Sequence, residues 1–530
     1  MKKNSLILSN FNLIFQTLVI DLLNILIIIL LYNFTGIDGS FAFGISYFIY
    51  FLINSFFKLI IPTVIENIIR EYNCFGYYKS KYKFFKYGIR IFITIGLLLF
   101  ILMFISSYFL PKLLFDKFFD INLINTINDT MKIFSLSILL IPVLNFYRGY
   151  IHGNNRTSKF LFISQLLEVI LVLIFALITC LIGSNIYHIS SYQCVKMIAL
   201  SYFVSILVVF IYLIFISFKY KKILNRETLK VSGLLSSNRE TVKVLFSHIC
   251  FYFNIWLFHL VIYIIDVAMI TRIVINKYYY LISDLKNIIS FISVLGFQLI
   301  SFLILLVVLF IIKKFKNIDI KNLVNNISYL LTKILLVVLP YTLIISISAN
   351  LIWKIFYDNN LLLSRIFKYY IFIIPIFIIF VFLVSVLKYL NEDKKIIKIV
   401  YIGLIVKIIL NLPFIYAFEK MKFPLCYGSI TSTFIGYIVI IWLLLHYISK
   451  KYNIFYEECI GKILNIFVVS IIMTMVLLIV SYIFPCVSDS ILINISYFLF
   501  ILILGLVVYY YLCKKINLID GDKLLSKKVK

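Results

Sequence analysis

The sequence predicts an all-α polytopic membrane protein: about fourteen transmembrane helices, in two pseudo-symmetric six-helix lobes around a central cavity, plus two C-terminal helices. Three observations predict it. First, 63% of the 530 residues are hydrophobic and 14% charged, with a mean hydropathy of +1.08. A soluble domain of this size would have to expose too much apolar surface. Second, the apolar residues come in many runs of about 20, each able to cross a hydrocarbon core of ~30 Å. Third, the basic residues alternate from loop to loop. A β-barrel is excluded, because its strands would alternate polar and apolar at every second residue.

Taken in order, the predicted spans are 6–34, 41–69, 86–110, 132–152, 160–183, 197–218, 244–271, 287–312, 327–350, 366–388, 396–417, 425–448, 463–484 and 490–513. The first follows the basic start Met1-Lys2-Lys3. Its apolar run continues to Phe34 with no small-residue cleavage site, so it reads as a retained helix and not as a removed signal. The spans from the second to the fourteenth are separated by loops whose charge checks the count. With the N-terminus inside, the inner segments carry 35 Lys plus Arg, the outer segments 10, and five lie within spans: Lys58, Lys132, Lys333, Lys368 and Lys407. The bias alternates at every turn, which puts both termini in the cytoplasm of a multi-pass protein of the plasma membrane. The same bias accounts for the net charge of +28 without nucleic acid as a partner.

The longest polar insert, "KYKKILNRETLKVSGLLSSNRETVK" at 219–243, follows the sixth span. The expected organisation is therefore an N-lobe at 1–218, a cytoplasmic basic linker at 219–243, a C-lobe at 244–450, two further helices within 451–513 and a basic cytoplasmic tail at 514–530. An internal repeat supports the two lobes. At a fixed offset of 239, the stretch "YRGYIHGNNRTSKFLFISQLLEVILVLIF" overlays "VLKYLNEDKKIIKIVYIGLIVKIILNLPF" without a gap. Tyr150 then falls on Tyr389, Lys159 on Lys398 and Glu168 on Lys407. Six helices per half keep both halves in one orientation, a parallel repeat about the membrane normal.

Ionisable groups inside a bilayer cost ~2.5–3.5 kcal/mol on insertion scales, so they face other helices or water. Asp21, Lys58, Glu168, Asp266 and Lys407 lie well inside spans, with Arg148 and Arg272 near helix ends. Asp21 reads equally as a helix–helix hydrogen bond beside Asn24, and the stem of Lys58 could snorkel. Lys407 is followed one turn later by Asn411 on the same face. Asp21, Glu168 and Asp266 are the candidates for a coupling ion. Because Glu168 and Lys407 occupy the same repeat position, they are expected on facing walls of one cavity as an ion pair between lobes. The other option is an ion site at Glu168 with Lys407 on the substrate.

No G-x-x-x-x-G-K-[ST], no H-E-x-x-H and no Gly-x-Ser-x-Gly occurs. ATP hydrolysis and catalytic or metal chemistry thus find no support, and no cofactor is expected. The five His show no paired metal spacing, and the eight Cys form no C-x-x-C pair, so they read as packing residues or free thiols.

The segment "RGYIHGNNRTSKFLFISQLLEVI" resembles the R-G-Y-x-x-G…S-Q-x-x-E segment of the stage V sporulation protein B group. That group sits with the lipid II flippases (MurJ) in the multidrug/oligosaccharidyl-lipid/polysaccharide (MOP) exporter superfamily. "TGIDGSFAFGISYFIYFLI", "YIIDVAMITRIV", "SVLGFQLISFL" and "GLIVKIILNLPFIYAF" are similar to other segments of that family, in the same order. The resemblance implies a monomeric flippase that carries an undecaprenyl-pyrophosphate-linked sugar, such as a lipid II-like peptidoglycan precursor, across the membrane by alternating access, with H+ or Na+ as coupling ion. The neighbouring options are a flippase for a capsule, teichuronic or O-unit oligosaccharide, and a small-molecule antiporter. Lys58, Arg148 and Arg272 would meet the pyrophosphate. Helices thirteen and fourteen would shape a groove for the lipid tail.

Overall fold

The protein is described by a computed structural model. It describes the chain except residue 1 and residues 116–119, 156–157, 187–189, 229–237, 278–281, 302, 305–326, 358, 454–456, 486–489, 517 and 519–530.

Among the described residues, every regular element is helical. Helix α1 runs Lys2–Cys74, α2 Tyr78–Phe115, α3 Ile121–Asn155, α4 Ser158–Ile186, α5 Ser191–Thr228, α6 Asn238–Lys277 and α7 Ile282–Ser290, which passes into a π-helical turn at Phe291–Leu295. After these come α8 Ile327–Ile347, α9 Ala349–Phe356, α10 Leu361–Tyr370, α11 Ile373–Tyr389, α12 Asp393–Lys420, α13 Cys426–Tyr452, α14 Glu457–Ile483 and α15 Ile491–Lys515.

Twelve described stretches are long and apolar enough to cross a membrane, two fewer than the fourteen expected spans. One difference is that α1 joins the first and second spans in a single run broken at Gly36, where φ 66 and ψ −161 lie outside the helical region. That conformation is open to glycine and costly for other residues. A Cβ there would meet nothing within 4 Å, so backbone geometry alone demands the glycine. The other difference is the eighth span, described as a short apolar helix at Lys286–Ser301, with most of its later part outside the described residues. The loop expected at 351–365 instead holds the short helix α9, whose Trp353 is fully buried.

The chain divides into two compact units, Met1–Leu299 and Ile300–Lys530. In the first, α3 is central and packs against α1, α2 and α5. Helices α6 and α7 belong to this unit, although the linker at 219–243 precedes them. Specific contacts hold them there. Trp256 Nε1 donates to the Leu52 carbonyl at 2.7 Å, Tyr263 stacks on Phe48 with ring centroids 3.5 Å apart, and Lys286 pairs with Asp38 at 2.7 Å. In the second unit α12 lies against α13 and α8 against α14.

A pair of helices occupies the repeated stretch in each unit, but the register slips. At the offset of 239 the break between α3 and α4 would fall near Lys394. The second unit breaks about one turn earlier, between Tyr389 and Asp393.

Candidate functional site: a buried charge network

The segment that carries Arg148 folds as the last part of α3, and Glu168 lies about three turns into α4. Helix α3 ends at Asn155 and α4 begins at Ser158. Gly149 and Gly153, four residues apart on α3, set how closely α1 approaches. A Cβ on Gly149 would stand 2.8 Å from both the Cα and the carbonyl oxygen of Pro62, and one on Gly153 would stand 2.8 Å from Ile69 Cβ. This is the small-x-x-x-small contact of membrane helices. It brings Lys58 of α1 to the same level as Arg148 and Glu168.

Three charges meet there. Glu168 Oε2 accepts from Arg148 NH2 at 2.7 Å, and Glu168 Oε1 accepts from Lys58 Nζ at 3.3 Å. Arg148 also donates from Nε to Ser164 Oγ at 3.1 Å, from NH1 to Asn145 Oδ1 at 3.1 Å and from NH2 to the Ser164 carbonyl at 2.9 Å. The Arg148 side chain is 0% exposed and that of Lys58 14%.

These contacts explain why a glutamate sits in an apolar helix. A buried Arg is tolerated only when its charge is matched and its donors are used. Ser164 and Glu168 lie one turn apart on one face of α4 and supply most of that environment, with Gln165 beside them. Gln165 has a second task. Pro62 has no N–H for the carbonyl four residues before it, which is Lys58, and Gln165 Nε2 reaches that oxygen at 3.5 Å.

The expected cationic site is thus partly redistributed. Arg148 is sealed inside the first unit and is not open to a headgroup in this state. Lys58 is the least covered of the three. Asp21, half-buried on α1, is close enough to act electrostatically on Lys58 and Tyr47. Asp266 is half-buried on α6. Arg272 belongs to α6, but its side chain lies outside the described residues.

Lys407 and Asn411 are 0% exposed, in the contact between α12 and α13. Gly428, Ser432 and Gly436 repeat every four residues on α13. A Cβ on Gly428 would lie 2.4 Å from Ile415 N, and one on Gly436 would lie 3.1 Å from Lys407 Cβ. Ser432 Oγ donates to Asn411 Oδ1 at 2.9 Å. The Glu168 carboxylate is held by two cations of its own unit, Lys58 and Arg148, and Lys407 is a buried residue of the second unit.

Reading residue by residue missed Asn145, Ser164 and Gln165, and missed Glu66 with His152, which pair at 2.6 Å one turn beyond Arg148. The spacing of Pro62 four residues after Lys58 and of His152 four after Arg148 was the available signal. Among the described residues no group of three or more His, Cys, Asp or Glu could hold a metal ion. The net formal charge of the triad is +1, with the least covered part on Lys58, so the arrangement can receive an anion.

No protein-family model and no curated protein matches the chain. Among solved structures, the chain is similar to the lipid II flippase MurJ in an inward closed conformation, with a TM-score of 0.65, 15% identity, and coverage of 98% of this chain and 100% of that one. It is also similar to a multidrug resistance MATE family transporter of the MOP superfamily in inward-facing form (TM-score 0.54, 12% identity, 85% of this chain and 98% of that one) and in outward-facing form (TM-score 0.51, 12% identity, 86% and 96%). At these identities the likeness establishes the fold.

Proposed function

From a chain with the fold that MurJ and the MATE transporters share, we propose a flippase that moves an undecaprenyl-pyrophosphate-linked sugar, a lipid II-like precursor, across a bacterial plasma membrane by alternating access. The observation that carries this reading is the net-cationic network of Lys58, Arg148 and Glu168 inside the membrane-spanning part of the first unit, with Lys58 as its least covered member. A pyrophosphate would pair with the Lys58 ammonium, while the buried Arg148 holds Glu168 and prevents it from repelling the anion. Asp21, Glu168 and Asp266 are the candidates for a coupling ion, H+ or Na+. The chain would act as a monomer with both termini in the cytoplasm, and lipid would surround α14 and α15, whose many exposed Leu, Ile and Tyr side chains suit hydrocarbon.

The test is rescue of cells depleted of their lipid II flippase. Wild type should restore growth and Lys58→Glu should not, at equal amounts of folded protein. A chain that fails to rescue but moves a capsule-type or O-unit lipid-linked oligosaccharide in vesicles would assign the cargo to that class. Extrusion of small organic cations with no lipid moved would favour the antiporter reading, which the MATE likeness supports.

A further inference from the structure

Two cysteines stand against each other on consecutive helices of the first unit. Cys180 lies six residues before the end of α4, and Cys194 three residues after the start of α5. The two helices pack together, and the two thiols are within hydrogen-bonding reach of each other. Their place follows from the packing. Val172, Ala176 and Cys180 recur every four residues on α4, and Cys194, Ile198 and Ser201 every three or four on α5, all at most 3% exposed. The buried stripe of α4 thus ends at Cys180 and that of α5 begins at Cys194. Other buried cysteines face different groups. Cys459 Sγ donates to the Ser328 carbonyl at 3.2 Å, and Cys513 contacts the Tyr509 side chain.

The side of the membrane matters as much as the contact. Residues 183–196, which include the turn of this hairpin, carry one basic residue, Lys196, whereas the segments 148–159 and 219–243 on either side carry three and seven. The charge bias therefore turns the closed end of the hairpin outward. Disulfides form and persist on that side and are rare in the cytoplasm.

We propose that Cys180 and Cys194 form a disulfide that staples the outer end of the α4–α5 hairpin. The oxidant is the protein disulfide of an extracytoplasmic thiol oxidase. One cysteine, as thiolate, attacks a sulfur of that disulfide and releases the first oxidant thiol. The second cysteine attacks the mixed disulfide, closes the S–S bond and releases the other oxidant thiol. The pair gives up two electrons and two protons, and the oxidant disulfide is reduced to two thiols. From hydrogen-bonding contact the sulfurs need only side-chain rotation to reach a bond length of ~2 Å.

The reaction belongs to the time of folding, because the finished protein covers both thiols. A Cβ on Gly39 of α1 would meet Val195 Cγ2 at 3.1 Å, and Lys196 pairs with Asp129 of α3 at 2.6 Å. Before α1 and α3 close over it, the end of the hairpin is open to the oxidant. The bond closes a short loop, which takes freedom from the unfolded chain. It also fixes the end of α5 from which Lys196 reaches Asp129 and Tyr202 packs edge-on against Tyr47 and Tyr50. The proposal does not depend on the cargo.

The test starts from cells that have an extracytoplasmic thiol oxidase and produce the full chain. They are quenched in acid, which stops thiol exchange. The protein is dissolved in SDS, so that burial shields no thiol, and reacted with maleimide-linked polyethylene glycol. Of the eight cysteines, six should react before reduction and all eight after it. Peptide mapping should find residues 180 and 194 in one linked species, two hydrogens lighter than the dithiol. Cys180→Ser and Cys194→Ser should each leave seven cysteines of the original eight, all reactive without reductant. The thermal midpoint of the purified wild type should fall on reduction, while that of Cys180→Ser with Cys194→Ser should not respond. An equal response in both refutes the staple. Eight reactive thiols in wild type before reduction overturn the proposal, as does protection of a pair other than 180 and 194. If the serine variants do not fold, mapping of the wild type decides alone. Because no lipid cargo is used, failure here is distinct from failure of the flippase reading.

Discussion

At the scale of single residues, Arg148 is the one with most to lose. Its guanidinium is fully buried, and it depends on Glu168 for charge and on Ser164 and Asn145 for its remaining bonds. Removing one member of a buried pair leaves an uncompensated charge, at a cost of about 3–5 kcal/mol, whereas replacing both by apolar groups can be neutral. Glu168→Gln should therefore lower the thermal midpoint of the purified protein far more than the double change Glu168→Leu with Arg148→Leu. Equal loss in both would mean that the pair is not the source of stability. Glu168→Lys would add a third cation to the site and should abolish folding outright. Adding Lys407→Glu should not restore it, because the partners of Glu168 are Lys58 and Arg148. Recovery in that double swap would reinstate a pairing between the two positions. The odd placement of Glu168 was legible in the sequence, since a carboxylate in an apolar run needs a reason. Its partners were not, because Lys58 lies 110 residues away and only the packing of α1 on α4 brings it near.

Among elements, two glycines of α1 and α3 are required for opposite reasons. Gly149 is needed for space, since its Cβ would sit 2.8 Å from the Pro62 backbone, and backbone cannot move aside as a side-chain tip can. Gly36 is needed for conformation, with φ 66 and open space around it. Gly149→Ala should push α1 from α3, separate Lys58 from Glu168 and reduce the yield of folded protein. Gly36→Ala should cost about 1–3 kcal/mol through strain alone, and Gly36→Asn should cost less than Ala, because Asn tolerates positive φ better. Thermal unfolding of the three variants would rank them, and a Gly36→Ala protein as stable as wild type would contradict the backbone argument. Span existence could be read from hydropathy for nearly every element. The near-fusion of the first two spans could not, because Thr35-Gly36-Ile37-Asp38-Gly39-Ser40 reads as a polar turn, whereas only Gly36 leaves helical geometry. The seam of Gly428, Ser432 and Gly436 was visible as a four-residue spacing, but that spacing does not reveal that it covers Lys407.

Across the whole molecule, topology is the property most open to test. The linker at 219–243 carries seven basic residues and the tail at 514–530 six, and their central parts lie outside the described residues. Cysteines placed at Ser236 and Ser526 should resist an impermeant maleimide added to intact cells and react once the membrane is opened. Labelling in intact cells would overturn the orientation assigned from the basic loops.

The sequence by itself determined that this is a helical membrane protein with many spans. Hydropathy, loop charge and the repeat act over whole segments, and no single contact can reverse them. Tertiary structure decided which charges are partners and which helices share a unit. Ion pairs form between groups brought within ~4 Å, and residues 58, 148 and 168 reach that range only because Gly149 lets α3 press against Pro62. It also decided that α6 and α7 pack with the first unit, through Trp256, Tyr263 and Lys286. A polar linker marks where a chain may be divided, but buried side-chain contacts settle what stays together.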